Sequence, residues 1–187
     1  MDEFGYLSVL ISIILGLSVT QLLQGMGQLI NARDRVRVYW PSIGWAVFLL
    51  IIDTQAWWAM FRFRNKHDWT FFQFAVVLFE TILLYLLAAL ALPNVPDYGE
   101  VDLESNYFRH SRWFFGSLVI VLLDSLLKGP VFKGSLTEGL DLDFHLLWIA
   151  TGAIAAVTRS DRYHKAFFCF SFVLFVSYIA LLFARLR

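Results

Sequence analysis

Six long apolar segments, separated by short polar stretches, dominate the pattern of hydrophobic and polar positions along the chain. A helix needs about 20 mostly apolar residues to cross a bilayer, because the hydrocarbon core is about 30 Å thick and each residue rises about 1.5 Å. Only helices or closed barrels satisfy the backbone in lipid, and these segments are too long and evenly apolar for barrel strands. We therefore predict an all-α, six-helix transmembrane bundle, with spans at residues 4–30, 40–61, 69–92, 113–132, 140–158 and 166–186.

The loops between the predicted spans are short and carry helix-stop residues. Pro41 falls in the first turn of the second span, where its missing N–H costs nothing, and Pro93 and Pro96 end the third span. Residues 105–112 are expected to form a separate, short interfacial helix ahead of the fourth span. The N-terminal apolar run is too long for the core of a signal peptide and is expected to be a retained first helix. Residues 1–187 are thus predicted to form a single integral membrane domain.

Composition agrees with lipid as the main solvent. Hydrophobic residues make up 59% of the chain and charged residues only 16%, against about 25% in ordinary soluble domains. Lys and Arg total 15, as do Asp and Glu, so no global charge recruits nucleic acid. The expected partner is the lipid bilayer, and the expected location is the bacterial inner membrane. The basic residues divide almost evenly between the two sides, and only the flanks of the first span favour termini outside the cytoplasm.

Three acidic residues, Asp53, Glu80 and Asp124, fall near the middle of predicted spans. Each costs roughly 2.5–3.5 kcal/mol at a helix centre, so we expect them to be protonated or paired inside the bundle. Such groups serve in proton relays and cation sites, or they join helices by hydrogen bonds. Lys128 lies four residues after Asp124, in the favourable order for a helical ion pair, and the alternative is that Lys128 extends to the interface. We expect Asp124 beside Lys128, or reaching toward the other acids from the fourth span. Asp53 and Glu80, which lack a basic neighbour in sequence, are the better candidates for transport.

The first span carries a stripe of small and polar residues at every fourth position. Small residues let helices approach closely, and amides can hydrogen-bond across the interface. We predict that Asp53 and Glu80 face this stripe, opposite Thr20, Gln21 or Gln24. The same helix is a candidate contact for a homo-oligomer or a membrane-protein partner. The small and polar residues proposed for that contact are Ser8, Ser12, Gly16 and Thr20.

No catalytic, nucleotide-binding or zinc motif is present in the sequence. No pair of histidines faces across the predicted bundle as a bis-histidine haem requires, and Cys169 is the single cysteine. We expect no cofactor, no metal and no enzymatic activity. An enzyme acting on lipid would need polar residues clustered near the level of the headgroups.

Three phrases resemble those of a group of uncharacterised bacterial polytopic membrane proteins. They are residues 35–41 (RVRVYWP), residues 69–72 (WTFF) and residues 112–116 (RWFFG). The resemblance implies a multi-pass fold and carries no activity to any residue. Two functions remain open from the residues: a small ion- or proton-linked transport or channel protein, and a membrane interaction or assembly subunit whose acids are purely structural.

Overall fold

A computed structural model describes residues 3–96 and 98–183 and confirms the six-helix prediction. All six helices are long and apolar enough to cross a membrane. A two-stranded parallel sheet joins two of the connections, through β1 (Val36–Arg37) and β2 (Val101–Asp102). The helices are α1 (Glu3–Asn31), α2 (Trp40–Met60), α3 (Phe71–Ala91), α4 (Leu103–Lys128), α5 (Leu140–Val157) and α6 (Asp161–Tyr178).

Helix boundaries follow local capping chemistry. Thr70 and Gln73 form a reciprocal capping box that starts α3. The Asp102 carboxylate accepts the first free amides of α4, from Glu104 at 2.9 Å and Ser105 at 3.0 Å. The Ser105 amide, more than the neighbouring Arg37 charge, holds the pKa of Asp102 below its usual range.

Two sequence expectations about boundaries are wrong. Residues 105–112 are not a separate interfacial helix, because α4 runs without a break from Leu103 to Lys128. Tyr107 and Ser111 are buried on its core-facing side, so this first part of α4 packs within the bundle. The last helix begins at Asp161 rather than 166, where Asp161 and Lys165 form an ion pair one turn apart.

Helix α3 is central: it packs against α1, α2 and α4, and α4 in turn packs against α5. Trp45 of α2 is fully buried and forms the middle of an aromatic cluster between α2, α4 and α6. Lipid tails are as apolar as the side chains, so close packing of this kind holds the helices together. The rings within 5.7 Å of the Trp45 ring, measured between centroids, belong to Phe48, Phe114, Phe115, Phe167 and Phe168.

One end of the bundle is tied by contacts between its loops. Val36 and Arg37 pair with Val101 and Asp102, and the Arg35 guanidinium donates to the Gly99 carbonyl at 3.0 Å. These contacts link the α1–α2 connection to the α3–α4 connection. We call this arrangement, residues 33–37 with 98–102, the loop clamp.

Tyr39 adds a contact to the start of α6 at the same end of the bundle. Its hydroxyl donates to Asp161 at 2.8 Å. Burial, helped by this carboxylate, raises the pKa of Tyr39 above its ordinary value, so the hydroxyl keeps its proton and remains a donor.

Candidate functional site

A cavity of about 480 Å³ lies between α2, α3, α4, α5 and α6, at the end of the bundle opposite the loop clamp. This volume falls in the range of about 300–1,000 Å³ that is typical of small-molecule sites. The deeper wall is apolar and the mouth is polar. Side chains of the deeper wall include Leu84, Leu87, Leu118, Leu122 and Trp148, and those near the mouth include Arg62, Lys66, Glu80, Ser125, Lys128, Asp141, His145 and Tyr178.

An ion pair crosses the cavity wall between α3 and α4. Lys128 donates to the carboxylate of Glu80, and both side chains are largely buried. Lys128 is the last residue of α4, so its charge also complements the negative end of that helix. The pair places a positive and a negative charge side by side where the apolar depth of the cavity meets its mouth.

A second polar group joins α4 to α5 in the same wall. The His145 Nδ1 lies 2.7 Å from the Asp141 carbonyl and 3.2 Å from the Asp141 carboxylate oxygen Oδ1. On the other side of the ring, Nε2 lies 3.1 Å from the hydroxyl of Ser125. His145 is buried, and Ser125 and Asp141 are half-buried. All three line the cavity.

Two more side chains complete this polar wall. Tyr178 and Arg62 both interact electrostatically with Asp141. The Tyr178 ring also lies edge-on to the His145 ring, with centroids 5.7 Å apart. Asp141 therefore interacts with side chains of α5, of α6 and of the turn that follows α2.

The bundle also contains a buried histidine that is not among the residues lining this cavity. His164 Nε2 lies 3.0 Å from the Thr158 carbonyl, and Nδ1 lies 3.1 Å from the Tyr107 hydroxyl. Because a carbonyl only accepts, Nε2 carries the hydrogen and Nδ1 accepts from Tyr107. Both ring nitrogens are satisfied in a fully buried link between α4 and α6, so this histidine has a structural role.

Asp53 lies against α1, as expected, although its partner differs from those predicted. It is buried, and its Oδ2 accepts a hydrogen bond from Ser18 at 2.7 Å. Its Oδ1 accepts none from residues 3–96 and 98–183. Asp53 is not among the residues that line the cavity.

The expectation that Glu80 faces the stripe on α1 is wrong. Its carboxylate pairs with Lys128 of α4 instead, which supplies a full opposite charge where the stripe offers only hydroxyls and amides. Asp124 lies near Lys128, as expected, and interacts electrostatically with it and with Glu80, although the ion pair of Lys128 is with Glu80. Asp124 is buried beside this pair, and its Oδ2 accepts no hydrogen bond within the described part of the chain. Asp53, Glu80 and Asp124 therefore do not converge on one site.

The stripe on α1 points away from the bundle. Ser12, Gly16, Thr20 and Gln24 are exposed, and Ser8 and Gln21 are half-buried. The Thr20 hydroxyl donates to the Gly16 carbonyl within its own helix, at 2.7 Å. The opposite face of α1 is buried, and most of its side chains are large aliphatic ones that fill the interface with α3. It consists of Ile11, Leu15, Ser18, Leu22, Gly25 and Leu29.

Sequence reasoning missed Ser125, His145 and Asp141 as a group. The available signal was the four-residue spacing of Asp141 and His145, which places both on one face of a helix. Nothing in the sequence indicates that Ser125, on a different helix, meets that face. Within the described residues, no group of three or more His, Cys, Asp or Glu side chains is placed to hold a metal ion.

Six membrane-spanning helices around an intramembrane cavity define a multi-pass membrane protein. No family model, curated protein or solved structure matches the chain.

Proposed function

We propose that the protein binds a small amphipathic anion in the cavity that α2, α3, α4, α5 and α6 enclose. The observation that carries this proposal is the distribution of polarity along the cavity wall. Apolar side chains form the deeper part, whereas charged side chains from the α2–α3 connection, α3, α4 and α5 gather at the mouth. A molecule with a short hydrocarbon chain and a charged head matches both parts at once.

The charges at the mouth favour an anionic head. Glu80 neutralises Lys128, and Asp141 interacts with both His145 and Arg62. Lys66 forms no ion pair within residues 3–96 and 98–183, and its Nζ lies 5.9 Å from the centroid of a Trp69 ring. Its positive charge is therefore available to a carboxylate or phosphate that enters from the mouth.

The ion- or proton-linked transport predicted from the sequence retains one supporting feature, the position of Glu80 on the cavity wall. Asp53 and Asp124 lie outside the wall, so a relay through all three acids lacks a connected path. We therefore propose amphiphile binding ahead of proton transport, in the bacterial inner membrane to which the sequence resemblance points.

The binding test uses the full chain in lipid nanodiscs with radiolabelled dodecanoate, measured by scintillation proximity. We expect saturable binding that Leu122→Trp removes, because the indole would fill the cavity that Leu122 lines. Leu123→Trp is the matched control, since the next residue of α4 is exposed and points away. Lys66→Gln should weaken binding of dodecanoate and spare that of the uncharged dodecanol. Equal binding by both tryptophan variants would contradict the proposal.

A second candidate function, assembly through α1, is supported by the outward direction of its small-residue stripe. Ser12, Gly16 and Thr20 together form an exposed face that allows another helix to approach closely. The partner we propose is a second copy of this chain. In a Cys169→Ser background, Ser12→Cys should form a disulfide-linked dimer in membranes, and adding Gly16→Leu should abolish it. If the Ser12→Cys chain stays monomeric under oxidising conditions, dimerisation through α1 is ruled out.

A further inference from the structure

We propose that Ser125, His145 and Asp141 form a nucleophile–base–positioning triad that hydrolyses a long-chain acyl ester and releases the amphipathic carboxylate as its product. The proposal rests on the cavity as a binding site for an amphipathic anion. Its geometric basis is the hydrogen bond between the Ser125 hydroxyl and His145 Nε2 at 3.1 Å. On the other side of the ring, Nδ1 is bonded to the Asp141 backbone carbonyl at 2.7 Å, and the Asp141 carboxylate lies 3.2 Å from Nδ1 as a neighbouring negative charge. A serine, a base and an acidic group in this order are the parts of acyl-transfer catalysis.

The surroundings of His145 determine which ring nitrogen carries the hydrogen. Nδ1 lies 2.7 Å from the Asp141 backbone carbonyl, which can only accept, so Nδ1 holds the hydrogen and donates it there. Nε2 therefore presents its lone pair, and the Ser125 hydroxyl must donate to it. This is the tautomer in which histidine can remove the proton from a serine.

The hydroxyl of Ser125 differs in its partner from three helical threonines. Thr20, Thr54 and Thr151 each donate to the carbonyl four residues earlier in their own helix, at 2.7–2.8 Å. Ser125 instead bonds across to the base on α5. Since Ser125 also lines the cavity, its oxygen faces the space where a ligand carbonyl would lie.

The reaction balances with water as the second substrate. The Ser125 oxygen attacks the ester carbonyl carbon as His145 Nε2 takes the hydroxyl proton. The bond from that carbon to the alcohol oxygen breaks, and the leaving alcohol takes the proton from Nε2. Water then attacks the acyl-serine ester, giving its proton to Nε2. When the acyl–oxygen bond to Ser125 breaks, Nε2 returns this proton and the carboxylic acid leaves.

Charge that develops on the carbonyl oxygen needs a donor, and Lys128 is placed to supply it. Lys128 lies three residues after Ser125, on the same face of α4, and lines the same cavity. The backbone amides around Ser125 are occupied by helical hydrogen bonds, so a side-chain cation takes the part that free amides take in other acyl-transfer sites. Glu80 holds Lys128 at this position.

The test is covalent labelling of the full chain in nanodiscs with an alkyl fluorophosphonate, followed by intact-mass measurement. We expect one adduct per chain at Ser125, formed with loss of fluoride. Ser125→Ala should abolish it. The matched control is Ser111→Ala on the same helix, because Ser111 bonds only within its own helix, to the Phe108 carbonyl, and should not affect labelling.

Two further variants separate chemistry from folding. His145→Gln and Asp141→Asn should slow labelling by about 100-fold or more while the melting temperature in detergent stays close to that of the native chain. Asp141→Glu should recover part of the rate, which a purely structural loss would not do. The turnover assay is release of 4-nitrophenolate from 4-nitrophenyl dodecanoate.

The outcomes distinguish the two proposals. Bound dodecanoate without labelling of the native chain overturns the triad and leaves the binding function standing. Labelling that survives Ser125→Ala also overturns the triad. Absence of both binding and labelling overturns the two proposals together.

Discussion

Replacing Lys128 by methionine tests how strongly the ion pair on the cavity wall holds α3 against α4. Methionine keeps most of the length and apolar volume of the lysine stem, so the main loss is the charge. The Glu80 side chain is then left with 14% exposure and no cationic partner at Lys128. Leaving a fully buried charge unpaired costs about 3–5 kcal/mol, and the cavity mouth admits some water, so we expect about 2–3 kcal/mol.

The converse change, Glu80→Gln, leaves Lys128 with 26% exposure and a long stem that can turn toward the mouth. We expect a smaller loss, about 1–2 kcal/mol. The double variant removes both charges, and its loss should be less than the sum of the two single losses by about 1–2 kcal/mol. This difference is the interaction free energy between Glu80 and Lys128.

The measurement is reversible unfolding in bicelles by a steric-trap method, with all three variants and the native chain compared at one pH. Arg33→Met and Asp34→Asn, alone and combined, form the control cycle, because that pair is exposed on both sides and should show almost no coupling. Additive losses for Glu80 and Lys128 would refute the reasoning, since the two charges would then act independently.

Further predictions concern helix packing and a helix cap. Gly44→Ala should destabilise the bundle by about 1–3 kcal/mol, because the new Cβ would lie 2.8 Å from the ring of Phe168, which is itself packed against Trp45. Gly16→Ala should instead stabilise α1 by up to about 1 kcal/mol, because its new Cβ would have no atom of another helix within 4 Å. Thermal unfolding in detergent compares the two variants. Backbone amides at the start of α4 lower the pKa of Asp102 in the folded protein. The ionised carboxylate therefore stabilises the fold fully at pH values above the pKa that Asp102 has in the unfolded chain, and this stabilisation is lost as the pH falls through the lower pKa of the folded state. The acid-side fall in melting temperature should therefore be smaller in Asp102→Asn.

The fold was predictable because hydrophobicity and length suffice to identify spans in lipid. Pro41, Pro93 and Pro96 indicated where helices begin and end, and the structure places them there or just outside. The extension of α4 back to Leu103 was missed, because its first turns are polar and carry no window of sustained hydrophobicity.

The contacts of the acids were harder to predict, since one residue of register turns a side chain by about 100° around a helix. Lys128 had two acids within reach, Asp124 on its own helix and Glu80 on another. Spacing along the chain favoured the first, whereas the packing of α3 against α4 produced the second. Sequence periodicity describes each helix by itself and contains no information about the rotation of its neighbour.

The α1 stripe shows a related limit. Small and polar residues at a regular spacing indicate a close helix contact, but they do not say with which helix. Ser18, outside the stripe, is the residue of α1 that reaches Asp53.

The loop clamp determines where the bundle can change shape. Helices α1 to α4 are joined near one end by the β1–β2 pairing, so that end acts as the fulcrum for any rocking of these helices. Helix α3 has 21 residues, and a lever of that length moves its far end by about 3 Å for a tilt of about 5°. A small angular change that leaves the clamp intact therefore widens the mouth of the cavity by about the diameter of a water molecule. Such rocking would change the width of the mouth near Ser125 while the loop clamp, at the opposite end of the helices, stayed closed.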